Sequence, residues 1–297
     1  MEGRRFLILA ALLLAATSGC LRAELSASTE EAPALVPERY LVHLEPQIGQ
    51  GDYEGAEEIQ VRVQSPSRSI SLNAADLEVF QATLQGEGLP VVDLRVTPQP
   101  ERQMLELAAD DVVEPGTYRL GLRFRGKLHP DARGLYLIPS PSADAVGTAF
   151  LVSESGPNAA RAVFPCFDDP EFRATFQFSI RVERSWQAVA NVPPLAEVPV
   201  DSGSKIVLFN VSPPMPTHLL GLICGKFGSV EDENGGNRLR FLTQPGKEAF
   251  ARYALQTSKQ LLRYFEDYFG PPPGVPALDQ VALPERSARV VAGWGLV

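Results

Sequence analysis

From Tyr40 onward, apolar residues recur at every second position: Tyr40, Val42 and Leu44, then Ile59, Val61 and Val63, then Ile70 and Leu72, then Leu77 and Val79. A period of two sends successive side chains to opposite faces, so each run predicts a strand with one buried face. The segment "EPGTYRLGLRFRGKL" repeats the pattern, with Tyr118, Leu120, Leu122 and Phe124 on one face and Arg119, Arg123 and Arg125 on the other. Further strands are predicted around Phe176, Phe178, Ile180 and Val182, from Ile206 to Phe209, and along "HLLGLICGKF" from His218. Strands at these intervals, with Pro and Gly between them, indicate a mainly β fold of antiparallel sheets packed face to face as a sandwich or saddle.

The period changes after "EDENGGNRLR". Residues 231–237 are turn formers and mark a boundary. From Lys247 to Tyr268, the residues Phe250, Tyr253, Ala254, Thr257, Leu261, Tyr264, Phe265 and Tyr268 fall on one stripe at spacings of three and four, which predicts a helix. Gly270 and three prolines stop it. Beyond the stop, "ALDQVALPE" predicts one strand with Leu278 and Val281 toward the core. The chain therefore reads as a β domain over 37–235 and a shorter α+β segment over 236–297. A helix and one or two strands cover only part of such a stripe. The face of the 247–268 helix is expected to meet solvent in part or to be covered by a partner or a further domain.

The first residues are a different object. Arg4 and Arg5 precede an apolar run from Phe6 to Ala16, followed by small residues and Cys20, the form of a secretory signal over residues 1–20. The run is short for a membrane-spanning helix. "ATSGC" resembles the bacterial lipobox, in which the cysteine is lipidated and becomes the new N-terminus. Thr17 stands where that pattern prefers Leu, and lipidation at Cys20 and plain secretion both remain open. Either places the protein in the bacterial envelope, anchored by lipid or released, with residues 21–36 as a polar tether. Cys166 and Cys224 lie in no paired spacing and are expected as separate buried thiols. The 27 basic and 36 acidic residues give a net charge of −9, which argues against nucleic acid and against a basic membrane-binding patch.

Three stretches resemble one family. "SESGPNAARAVFPCFDDPEFRATFQFSI" (153–180) is similar to the T-Q-F-E-P-x-D-A-R-R-A-F-P-C-F-D-E-P segment of the zinc metallo-aminopeptidases of the aminopeptidase N family. "PPMPTHLLGLICGKF" (213–227) resembles its P-P-M-S-T-Y-L-x-A-F-x-V-G-x-F, and "YALQTSKQLLRYFEDYFGPPPGVPALDQVALP" (253–284) its Y-A-L…Y-F-G-x-P-Y-P-L-P-K-L-D-x-V-A-x-P. The resemblance runs from about residue 37 to Val297 and implies that 236–297 opens a thermolysin-like catalytic domain.

"RVVAGWGLV" aligns with the family's G-A-M-E-N-W-G at Trp294 and Gly295. The resemblance implies that Ala292 stands where the glutamate pairing the substrate's free amine belongs, and Gly293 where the next Asn belongs. Glu154 falls at the family's Gln and Gly156 at its second Glu. These four are the substrate-binding positions implied. Loss of one charge-assisted hydrogen bond weakens recognition by roughly ten- to a hundredfold. The family's H-E-x-x-H zinc motif would follow a few dozen residues after Trp294, and this sequence ends first. Its three histidines, His43, His129 and His218, are isolated, so neither a metal ligand set nor a catalytic residue is expected in this chain.

The conserved-looking letters Asp168 and Asp169 read better as a turn than as acid and base, with Arg161 placed to pair with one of them. Two functions follow from the resemblance. One is a non-catalytic peptide-binding or scaffolding protein. The other is the N-terminal part of a zinc aminopeptidase whose active site is encoded downstream or in a partner chain. An unrelated adhesion-type sandwich accounts for the strands but for none of the three motif blocks.

Overall fold

The alternation that begins at Tyr40 becomes one edge-to-edge sheet of eight strands. In spatial order these are Pro194–Pro199, Ser204–Phe209, Thr175–Glu183, Leu35–Gln47, Asp52–Val63, Gly116–Lys127, Leu77–Gly86 and Val92–Asp93. The computed structural model describes residues 34–129, 133–139, 149–153, 156–234, 237–270, 277–284 and 293–297. The expected signal, Cys20 and residues 21–33 of the expected tether lie outside the described residues, as do Glu154 and Ala292, and the tether's last residues, Leu35 and Val36, are already paired in the first strand.

Tyr40, Val42, Leu44, Ile59, Val61, Leu120, Leu122 and Phe124 are all buried on the inner face, as the period of two requires. Two glycines on that face are there for their neighbours. Gly55 pairs across the strands with Phe124, and Gly126 with Tyr53. A Cβ at either would stand 2.2 to 2.3 Å from the opposite ring, so each ring occupies the space its partner leaves.

Smaller sheets close the core. Ser67–Asn73, Met104–Val113 and Arg95–Gln99 form one, and Gln187–Ala190, Leu222–Gly225, Ala149–Ser153 and Leu135–Pro139 form another. Most pairings are antiparallel, with two exceptions. Leu35–Gln47 runs parallel to Thr175–Glu183, and Asn237–Thr243 runs parallel to Ala277–Val281. Parallel neighbours need a long crossover, which both connections supply.

Residues 231–234 and Asn237, expected as turn formers, lie in strands: Gly228–Asn234 pairs antiparallel with Asn237–Thr243, and Ala277–Val281 adds the third strand of that sheet. Of the expected core contacts Leu278 and Val281, Val281 packs against a second apolar cluster and Leu278 is corrected here. Ala277 and Asp279 are the buried positions, and Leu278 is half-buried. Asp279 tolerates burial because Arg240 Nε donates to it at 2.9 Å and Arg238 stands 3.5 Å away. The "HLLGLICGKF" stretch likewise begins as a 3-10 turn, Thr217–Leu219, and becomes a strand only at Leu222.

The helix spans Glu248–Phe269 and ends at Gly270, whose φ of 89° suits a residue without a Cβ. Ala251 and Leu255 form its buried side. The aromatic stripe faces outward, with Tyr253 78% and Tyr268 70% exposed. A second apolar cluster of Tyr136, Phe150, Val152, Ile223, Phe227, Leu242 and Leu296 joins this last part of the chain to the four-stranded sheet. Residues 34–297 are thus one compact body.

Candidate substrate-recognition site

Eight polar or charged residues are buried among the described ones; one, Thr217, begins the short strap of residues 217–222, and three others, Ser153, Asp168 and Asn191, bond to it. A strap with little secondary structure has unpaired backbone groups to satisfy, and the side chains of Asn191 and Ser153 do it while Asp168 takes the Thr217 hydroxyl.

Asp168 holds the first end. Its Oδ1 accepts the Thr217 hydroxyl at 2.6 Å and its Oδ2 accepts Arg161 Nε at 2.8 Å. Its own N–H donates to Asn73 Oδ1 at 3.0 Å. Asp169 turns the chain, its Oδ1 accepting the Glu171 N–H at 3.0 Å. The F-P-C-F-D-D-P block is therefore an anchor, and Arg161 pairs with the first of its two carboxylates.

Two tyrosines of the large sheet hold the same block down. Tyr53 donates to the Val163 carbonyl at 2.8 Å, and Tyr40 Oη accepts the Phe167 N–H at 3.1 Å. Burial pushes the Tyr40 phenol well above its ordinary value. Burial likewise raises the Cys166 thiol, helped by the nearby Asp168 charge. Cys166 and Cys224 are both free and buried, two unreactive thiols.

The far end of the strap meets the two segments that the sequence resemblance marks for substrate binding. Ser153 Oγ accepts the Leu222 N–H at 2.8 Å, and Gly156 lies three residues further along that segment with φ at 128°. On the other side, Trp294 N–H donates to the Leu219 carbonyl at 3.2 Å. Asn191 ties these together. Its Nδ2 donates to Leu219 O at 2.7 Å and to Trp294 O at 2.9 Å, while its Oδ1 accepts Gly221 N–H at 2.9 Å.

Gly293 fits this arrangement because it has no side chain. A Cβ there would stand 2.5 Å from Leu219 O and 3.1 Å from Asn191 Nδ2. Gly293 is thus packed against Leu219 of the strap, whereas a Cβ on Gly156 would meet open space and Glu154 and Ala292 lie outside the described residues. Asn191, Thr217 and Ser153 went unflagged by sequence reasoning. A signal for Asn191 exists: it is a lone polar letter in "AVANVPPL".

Among the described residues one further polar cluster stands out, and it is less suited to catalysis. Ser179 Oγ lies 2.8 Å from His43 Nδ1, and His43 Nε2 lies 3.1 Å from Glu45, but these sit on paired strands whose N–H groups are committed to the ladder. Such a chain lacks donors for a developing oxyanion. Among the described residues, no three His, Cys, Asp or Glu side chains are placed to hold a metal ion, so the residues present do not fit zinc.

The Peptidase M1 N-terminal domain matches residues 36–219. The chain is 32% identical over 270 residues to Aminopeptidase M1-A of Oryza sativa subsp. japonica, covering 88% of this chain and 30% of that protein. It is 30% identical over 264 residues to Aminopeptidase N of Acetobacter pasteurianus, covering 89% and 73% respectively. With Endoplasmic reticulum aminopeptidase 2 of Homo sapiens the identity is 28% over 270 residues, 89% of this chain and 28% of that protein. The chain belongs to the peptidase M1 family, the family its motifs resemble. It spans about 30% of the length of the plant relatives it matches.

Proposed function

We propose that this polypeptide is the peptide-end-binding part of an aminopeptidase-N-like envelope protein and does not hydrolyse peptides by itself. The observation that carries the reading is the convergence of the Ser153 and Trp294 segments on one buried strap. The donor inventory supports its second half: three histidines, none spaced as a helical pair. Glu154 is the carboxylate left to attract a free amine, since Gly156, Ala292 and Gly293 offer none. Purified chain is expected to carry substoichiometric zinc and to release no amino acid from aminoacyl nitroanilides. Turnover that persists through purification and is abolished by a chelator overturns this reading.

A second reading has its own support. The outward aromatic face of Glu248–Phe269, together with the 30% span of the plant relatives, favours a zinc aminopeptidase whose metal-bearing part lies in further sequence or in a partner chain. An in-frame H-E-x-x-H encoded past the Val297 codon selects this reading, and a stop codon there selects the first. Export to the envelope, with a lipid at Cys20, completes either proposal. Cell fractionation tests it: Cys20→Ala leaves the membrane fraction if the cysteine is acylated and is unchanged if it is not.

A further inference from the structure

Asn191 makes three side-chain hydrogen bonds, and every one crosses a long stretch of sequence. Two hold the strap at Leu219 and Gly221, and the third reaches 103 residues onward to Trp294. The residue is 4% exposed, so each bond is made away from water, where an unmade one is costly. Its backbone joins in as well, since a Cβ on Gly295 would stand 2.6 Å from Asn191 O and 3.0 Å from Ala277 O. The glycine-tryptophan turn is thereby pressed against Asn191 from both sides. Beyond it, Asp279 N–H donates to Gly295 O and Val297 N–H to Asp279 O, each at 2.9 Å. The last residues thus add to the edge of Ala277–Val281 once the turn is seated.

The neighbouring amide of the strap, Leu222, is held by Ser153. Consecutive amides, 221 and 222, are therefore fixed by the side chains of Asn191 and Ser153, the second of which belongs to one of the two segments between which a peptide end would lie. We infer that Asn191 is the positioning residue of this site: its amide sets the placement of the Trp294 segment relative to the Ser153 segment. The inference rests on the peptide-end reading for its purpose but not for its geometry.

The test uses the purified 297-residue chain. Asn191→Asp keeps the acceptor for Gly221 and turns two donations into a carboxylate facing two carbonyls. Hydrogen exchange at Trp294 and Val297 is expected to accelerate by about tenfold or more, while Ile59 and Leu120 in the central strands keep wild-type protection. Gly295→Ala, which forces a Cβ onto the Asn191 carbonyl, is expected to give the same pattern without altering the amide. Unchanged exchange at Trp294 in both variants overturns the inference. So does protection lost evenly at Ile59 and Leu120 in both, which would make Asn191 an ordinary core residue.

A binding arm separates role from purpose. Leucinamide and N-acetylleucinamide differ in the free amine, and Asn191→Asp is expected to reduce the preference for the former by about tenfold. Wild-type preference retained while Trp294 exchanges freely overturns the positioning role. If the wild-type chain does not distinguish the two compounds, the peptide-end reading falls, and the exchange result alone decides what Asn191 holds.

Discussion

The Thr217 hydroxyl donates to Asp168 at 2.6 Å with both side chains buried, joining the F-P-C-F-D-D-P anchor to the strap 49 residues away. The same carboxylate is neutralised by Arg161, whose side chain is 13% exposed against 1% for Asp168. Removing the hydroxyl and removing the cation therefore have different costs. Thr217→Val is expected to destabilise by about 1.5–3 kcal/mol, the net worth of one hydrogen bond to a charge. Arg161→Met leaves a buried carboxylate without its counter-ion and is expected to cost about 3–5 kcal/mol. Urea denaturation of the two variants ranks them, and equal losses would show that the ion pair adds nothing.

Gly55 faces the Phe124 ring in a core where that ring is fully buried and lies edge-on to Tyr53. Gly55→Ala is expected to cost about 1–3 kcal/mol by overpacking. Phe124→Leu in the same chain should recover part of the loss. Thermal melts of the single and double variants check this, and strict additivity would sever the proposed contact.

Glu57 points into the same core, 5% exposed, and among the described residues neither of its oxygens has a hydrogen-bond partner. Burial alone raises its carboxyl well above the ordinary 4.5. The folded state then holds a proton that the unfolded chain gives up. The contribution is fully present below about 4.5 and is lost as pH climbs from there through the raised folded value. Stability is expected to fall across that window by up to about 1.4 kcal/mol per pH unit, and Glu57→Leu should remove the slope and stabilise the protein at pH 8. Denaturant midpoints from pH 5 to 8 supply the measurement, and a parallel slope in Glu57→Leu would assign the effect elsewhere.

The two sides of Glu248–Phe269 should respond oppositely to truncation. Leu255→Ala removes a buried contact with the hairpin and is expected to cost about 2–4 kcal/mol. Tyr268→Ser and Phe269→Ser touch solvent-facing rings and should change stability by about 0.5 kcal/mol or less while raising solubility. A large loss from Tyr268→Ser would mean the outward face is covered in solution.

How far the sequence could be read depended on whether a signal was local. The period of two located the long strands, because sheet burial alternates whatever the partner strand is. It said nothing of partners, so the parallel pairing of Leu35–Gln47 with Thr175–Glu183 was illegible. The helix was legible from Phe250 to Tyr268 because a stripe and a glycine stop are properties of the segment itself. In the strand after it, hydrophobicity pointed to Leu278, and the structure buries Asp279 instead, because Arg240 supplies the countercharge from a strand 39 residues away. Of the candidate site, the motif letters showed the family, and the positions Glu154, Gly156, Ala292 and Gly293 rest on the resemblance alone. Asn191, Ser153 and Thr217 read as ordinary loop or strand-end polar residues, since what makes them structural is the strap they hold and not their neighbours in sequence.

The pairing of Leu35–Gln47 with Thr175–Glu183 also governs the order of assembly on the ribosome. His43 and its neighbour Ser179 are 136 residues apart, so the first strand keeps one edge of N–H and C=O groups open until the later strand has been made. At about 5–20 residues per second, that interval is on the order of ten seconds. A nascent chain with an unpaired strand edge for that long presents a template for edge-to-edge pairing with other chains until Thr175–Glu183 closes it.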